Sequence, residues 1–192
     1  MVRNKRILNW VRRHRGILVA LPLIVTIVCF AHESEWDALL WPLGMAILAL
    51  GVIIRIWAQQ HVRRRVHGPR HLAKTGPYAL VRNPIYIANI LLCVSATVFS
   101  ELLWFIPITI CWSVFVYSLV VRYEEMRLLR KYGDAYREYM AAVPRWIPRF
   151  VPLTSANGFN RHCYANIVSE IHCLAIVLPY LLKEIISPWF ER

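Results

Sequence analysis

Acidic residues are scarce in this 192-residue chain, where 11 Asp and Glu stand against 23 Lys and Arg for a formal charge of +12. In a soluble chain that imbalance would point to nucleic acid. Here the basic residues are interleaved with long apolar blocks, and 58% of all residues are apolar, against roughly half in a soluble protein. Disordered and collagen-like chains are excluded, and the expected partner is a membrane, not a nucleic acid. Closely paired cysteines are lacking too. Cys29, Cys93, Cys111, Cys163 and Cys173 are scattered, and they read as small core hydrophobes in a reducing context. The repeat His162-Cys163 and His172-Cys173 does not follow finger spacing, so no metal site is expected.

What the chain has is apolar length. Four blocks, Gly16 to Ala31, Ala38 to Ala58, Ile85 to Phe99 and Leu102 to Val121, approach the roughly 20 helical residues that cross a hydrocarbon core of about 30 Å. The first follows Arg12, Arg13 and Arg15, but Cys29-Phe30-Ala31-His32-Glu33 is a poor cleavage site, so it reads as a retained helix and not a signal peptide. Lys and Arg are absent from the connections at 32–37 and 100–101. They crowd the N-terminus, the loop that carries Arg63, Arg64, Arg65, Arg70, Lys74 and Arg82, and the stretch from Arg122 through Arg145, Arg149 and Arg161. Because Lys and Arg are held on the cytoplasmic side, both connections belong outside and the N-terminus and both basic segments inside.

The expected fold is therefore all-α, a polytopic membrane protein with four transmembrane helices, the last two forming a tight hairpin. Residues 1–153 make the membrane unit. From 154 to 192 a loop leads into Tyr164 to Ile186, where Asn166, Ser169, Glu170, His172, Lys183 and Glu184 share a face and Pro179 interrupts. That pattern reads as an interfacial helix, with a fifth crossing as the alternative.

Two breaks and an acidic pair mark the cytoplasmic side. Thr75-Gly76-Pro77-Tyr78 reads as a tight turn, and Asn83-Pro84 breaks the chain just before the third block. Arg82, Pro84 and Tyr86 thus crowd one membrane entrance, where the simplest role is an interfacial anchor. The fourth block ends at Arg122-Tyr123-Glu124-Glu125, and its helical pattern continues through Leu129, Tyr132, Tyr136 and Tyr139 until Pro144. Adjacent acids among basic neighbours do not suit an electrostatic anchor. The simplest structural role for Glu124 is an i,i+3 pair with Arg127.

The ordered set Gly76-Pro77-Tyr78, Arg82-Asn83-Pro84-Ile85-Tyr86, a membrane hairpin, Glu124-Glu125, Tyr132 to Tyr139 and Val143-Pro144-Arg145 resembles the isoprenylcysteine carboxyl methyltransferases and their phospholipid methyltransferase relatives. The likeness covers the core region 72–148. It implies an integral-membrane enzyme that binds S-adenosyl-L-methionine in a pocket formed by cytoplasmic loops and takes a lipid or lipidated acceptor from the bilayer. Carried over by position, the cofactor contacts are Arg70, His71, Leu72, Ala73, Tyr78, Asn83, Pro84, Ile85, Tyr86 and Glu124. Asn83 stands where the family has histidine, which removes a titrating group. Val120 stands where members acting on prenylcysteine have an arginine, and Arg122 lies about 200° further around the helix.

The catalytic candidates follow from the acceptor. A carboxylate is already ionised and needs a cation, for which Arg122 and Arg145 are placed, whereas an amine must lose a proton, for which Glu125 is the candidate base. The expected function is methyl transfer to a lipidic acceptor, a carboxylate first and a phospholipid amine such as phosphatidylethanolamine as the alternative. A non-catalytic membrane protein with a degenerate pocket is the third reading. The membrane would be the plasma membrane in a prokaryote and the endoplasmic reticulum in a eukaryote. Single-cysteine variants at Ser34 and Asn157, in a background cleared of native cysteines, are expected to be labelled from opposite sides; labelling from one side would remove the four-crossing topology.

Overall fold

The computed structural model describes residues 2–28, 36–63, 72–149 and 177–182. Among them, regular structure is helical throughout: α1 (Val2–Val28), α2 (Asp37–Arg63), α3 (Pro77–Leu80), α4 (Pro84–Phe99), α5 (Ile106–Tyr132) and α6 (Asp134–Ala142). Proline opens α3 and α4 at the first helical turn, where its missing N–H has no helical partner to lose. The C-terminal segment expected to lie in the interface, and the His-Cys repeats within it, fall outside the described residues except for 177–182.

Among the described residues, two segments are long and apolar enough to cross a membrane, Ala38–Val62 and Leu103–Tyr132. Helix α4 is apolar but shorter, at 16 residues. Helix α1 joins a basic first half to an apolar second half in one 27-residue rod. Exposed Leu39, Leu43, Met45, Leu50 and Ile53 on α2, and Ile108, Ile110 and Phe115 on α5, give these helices apolar outer faces suited to lipid.

Helices α2 and α4 run antiparallel at close range, and the sequence of α2 shows why. Gly44, Gly51 and Ala58 recur every seven residues on one face, and small residues let helix backbones approach. A Cβ on Gly44 would lie 2.6 Å from the Phe99 ring, and one on Gly51 would lie 3.2 Å from the Ala88 carbonyl. On the other side α1 packs along α5, where the Trp112 indole donates to the Leu18 carbonyl at 2.7 Å. Val11 and Val19 join Tyr86, Tyr117, Val120 and Val121 in one core.

The hairpin read from the connection without Lys or Arg is present as α4 and α5. Its arms are tied by a 3.0 Å hydrogen bond between the buried Thr97 and Thr109 hydroxyls, and the turn places Glu101 at φ +63. At the other end of α5 the expected uninterrupted helix to Pro144 is not found. Gly133, at φ +54, stops α5 and starts α6, because that backbone angle is open to glycine at little cost. Residues 177–182 dock on the bundle, with Tyr180 Oη 2.8 Å from Thr26 Oγ1 and its ring near Phe99.

Overpacking a tight helix crossing costs about 1–3 kcal/mol. Gly51→Val is therefore expected to lower the thermal unfolding midpoint in detergent, while Gly16→Ala, which meets nothing within 4 Å, is expected to leave it unchanged or raise it. Equal midpoints for Gly51→Val and wild type would contradict the close α2–α4 contact.

Candidate active site

Two loops cross where the hairpin leaves the apolar region. In the first, Gly76 takes φ +63 and turns its open side to the His61 ring, which fills the space a Cβ would need. The chain then makes the single turn of α3, becomes extended at Val81, and enters α4 at Pro84. In the second, the chain leaves α6 and runs through Pro144 to Arg149. Backbone and side-chain hydrogen bonds clasp the two: Arg82 N–H to the Pro144 carbonyl at 2.9 Å, Arg149 N–H to the Leu80 carbonyl at 3.0 Å, and Arg149 Nε to the Ala79 carbonyl at 3.1 Å. The Tyr139 hydroxyl adds a bond to the Tyr78 carbonyl at 2.7 Å.

Asn83 belongs to this clasp. Its Nδ2 donates to the Arg145 carbonyl at 3.2 Å, while its own carbonyl receives the Tyr86 N–H at the start of α4 at 3.1 Å. An amide supplies a neutral donor there.

The adjacent glutamates have different fates. Glu125 is gripped by the Arg145 fork, Nε to Oε1 at 3.1 Å and Nη2 to Oε2 at 2.5 Å, and Arg82 Nη1 stands 3.2 Å from Oε1. Its side chain is 11% exposed, against 36% for Glu124. The Glu125 bond holds the Arg145 guanidinium above the ordinary arginine range, against the opposing effect of burial. Glu124 accepts the Tyr86 hydroxyl at 2.9 Å and lies 3.6 Å from Arg15. It does not pair with Arg127, one turn on. Below them, the Tyr86 and Tyr117 rings pack against each other in a tilted arrangement, centroids 4.8 Å apart. Beside the clasp, burial pushes the Tyr136 phenol up to about 12, and the Glu125 charge adds to the effect.

The structure thus brings Asn83, Tyr86, Glu124, Glu125 and Arg145 to one place. Pro84 is fully buried, and Tyr78 and Ile85 are half-buried. Leu72 packs on the Tyr136, Tyr139 and Val143 cluster, and Ala73 follows it, half-buried. Arg70 and His71 lie outside the described residues. Arg122 is exposed on α5, apart from the Glu125–Arg145 pair. Arg82 is not a free interfacial anchor but a partner of Glu125, at 12% exposure. Sequence reasoning missed Arg149 as a clasp and missed Arg55, whose Nη1 donates to Asn89 Oδ1 across the α2–α4 contact; the signal for Arg55 was an arginine inside an apolar block.

A model of the phospholipid methyltransferase family matches residues 40–135, from the start of α2 into α6. A nickel-cobalt-cadmium resistance protein, NccN, of Alcaligenes xylosoxydans xylosoxydans is 26% identical over 160 residues, covering 80% of this chain and 74% of that protein. A cobalt-zinc-cadmium resistance protein, CzcN, of Cupriavidus metallidurans is 29% identical over 148 residues, covering 73% of this chain and 67% of that protein. No solved structure gives a significant match.

Replacing Glu125 by Gln leaves two guanidinium groups without their shared counter-charge. The expected loss of stability is about 2 kcal/mol, read as a lower unfolding midpoint in detergent and faster proteolysis between Val143 and Arg149. Arg122→Gln, on the exposed face, is expected to change neither.

Proposed function

The chain belongs to the phospholipid methyltransferase family, and on that premise we propose that it transfers a methyl group from S-adenosyl-L-methionine to an acceptor carried in the lipid phase. The observation that supports this reading is Glu124: a carboxylate one-third exposed, oriented by the Tyr86 hydroxyl, where the hairpin meets two clasped loops. A half-open, oriented carboxylate suits a ligand that carries an ammonium, a sulfonium and ribose hydroxyls. Glu124 and Tyr86 would hold it, with Tyr78, the Asn83 to Ile85 turn, Leu72 and Ala73 around them and Arg70 and His71 carried over by resemblance.

When bound, S-adenosyl-L-methionine supplies an electrophilic methyl group to the acceptor's lone pair. The chain's own task is to hold both partners in line and keep water out. We assign Glu125 and Arg145 to positioning, because each already occupies the other: their pair fixes the second loop against α5. That leaves neither a free base at Glu125 nor a free cation at Arg145. Arg122, exposed on α5, faces lipid headgroups in this reading. A carboxylate acceptor remains the first reading and a phospholipid amine the second.

The proposed topology has four crossings, with α1 and α4 joining the two long apolar segments and the basic N-terminus and the site in the cytoplasm. It rests on charge placement and is supported by the packing of α1 along α5. The relatives' names add a setting, resistance to nickel, cobalt, zinc and cadmium, in which modification of a membrane component would be this chain's part.

Glu124→Ala is expected to weaken S-adenosyl-L-methionine binding about ten- to hundredfold, the worth of a charge-assisted hydrogen bond, while Glu170→Ala leaves it unchanged. Isothermal titration of the purified protein reads both, and identical curves for Glu124→Ala and wild type would refute the assignment. Incubation with methyl-labelled cofactor and a lipid extract, then base treatment, distinguishes the acceptors: methyl esters hydrolyse and N-methyl groups survive.

A further inference from the structure

Arg15 stands on α1 where the packing pattern calls for an apolar residue. It lies four residues after Val11 and four before Val19, both buried at 6% exposure in the core shared with α5, so the three positions share a helix face. Yet the Arg15 side chain is 48% exposed, and its Nη1 stands 3.6 Å from Glu124 Oε1, longer than the about 2.7–2.9 Å of a closed charge-assisted hydrogen bond. One turn earlier, the Arg12 guanidinium lies over the Tyr123 ring at 5.1 Å, and Tyr123 immediately precedes Glu124 on α5. That contact sets the height of α1 beside α5 and so holds Arg15 opposite the open carboxylate. Arg15 also lies outside the stretch matched to the family, residues 40–135, so family membership does not supply it.

Holding α1 to α5 does not require this pair. Val11, Val19 and the Trp112–Leu18 hydrogen bond already seat the two helices, and an ion pair so open to solvent adds little. An unclosed pair of opposite charges does suit a ligand that itself carries both. An α-amino acid has its ammonium and its carboxylate on one carbon, and the methionyl end of S-adenosyl-L-methionine is such a group. An ammonium placed on Glu124 brings the ligand's carboxylate with it, to a place where the adjacent Glu124 and Glu125 repel a further negative charge. A cation must then be within reach. Arg145 and Arg82 are committed to Glu125, and Arg12 lies over Tyr123 and donates to Asn9. Arg15, half exposed, has room to reorient, and its planar fork of donors matches the two oxygens of a carboxylate.

We propose that Glu124 and Arg15 form a two-point site for the α-amino-acid end of the methyl donor, the Glu124 carboxylate taking the ligand's ammonium and the Arg15 guanidinium its carboxylate. The ligand inserts across the protein's own ion pair and replaces one open contact with two closed ones. This rests on the methyl-transfer reading for the identity of the ligand. It gives α1 a part in the site, so that a helix outside the clasped loops makes a carboxylate a requirement of the donor.

The test is isothermal titration of the full chain, in a nonionic detergent, with S-adenosyl-L-methionine and with its decarboxylated form. The wild type is expected to bind S-adenosyl-L-methionine about tenfold or more tightly than the decarboxylated form, the worth of a charge-assisted hydrogen bond. Arg15→Gln is expected to lower affinity for the first about tenfold. Its affinity for the second should be unchanged or raised, because that ligand carries only positive charges. Arg15→Lys keeps the charge without the fork and is expected to retain part of the preference. Arg13→Gln, exposed on α1, controls for loss of net charge and is expected to match the wild type. Unfolding midpoints should stay near the wild-type value in all three variants. Equal affinity of the wild type for the two ligands, or a preference that survives Arg15→Gln, would overturn the proposal. So would tighter binding of both ligands by Arg15→Gln, which would make Arg15 a competitor for Glu124. Binding of neither ligand by the wild type would overturn the methyl-transfer reading and the proposal with it, a result visible before any variant is made. Absence of methyl transfer with the preference intact would count against the enzymatic reading alone.

Discussion

The Glu125 carboxylate, shared between Arg145 and Arg82, is the contact on which the clasped-loop end of the bundle depends. It joins three stretches of chain far apart in sequence: the end of α5, the loop before α4 and the loop after α6. Backbone hydrogen bonds between the loops then fall into register, with Arg82 N–H on the Pro144 carbonyl and Arg149 N–H on the Leu80 carbonyl. A paired charge at 11% exposure is costly to leave unpaired, so the loops are held against the end of α5.

Glu124, the next residue on α5, is turned about 100° around the helix and meets a different environment. Its partners are one phenol and one distant, half-exposed arginine. The same residue type thus performs two tasks on adjacent positions. One carboxylate is saturated and fixes geometry; the other is oriented but open to solvent.

Much of this was legible in the sequence. The hairpin followed from two apolar blocks with no Lys or Arg between them, and the loops followed from Gly76-Pro77 and Asn83-Pro84, because those residues restrict backbone angles locally. Pairing was not legible. Arg82 reads as an interfacial anchor until the loop after α6 returns to lie beside it, and Arg145 reads as a free cation until Glu125 is seen within its fork. The break at Gly133 was hidden because the apolar spacing of Leu129, Tyr132, Tyr136 and Tyr139 persists across it. Arg55 was passed over for the opposite reason: averaging over an apolar block conceals the one charge that the block tolerates. The helix seam that receives it was written in Gly44, Gly51 and Ala58, a period of seven that composition alone does not reveal.

The strength of the two acidic contacts also bears on how a cationic ligand could enter. The Arg15 guanidinium stands 3.6 Å from Glu124, with 48% and 36% of the two side chains exposed, and a pair so open to solvent is worth about 0–1 kcal/mol. A ligand ammonium or sulfonium could displace Arg15 at little cost, while the Tyr86 hydroxyl keeps the carboxylate aimed. Displacing a ligand group into the Glu125 contact would instead mean separating a two-pronged, largely buried pair. In the proposed reading, selectivity between the neighbouring carboxylates would therefore follow from solvation and geometry: the cation would go to Glu124 because Glu125 is already satisfied, and only the exposed Arg15 side chain would have to give way.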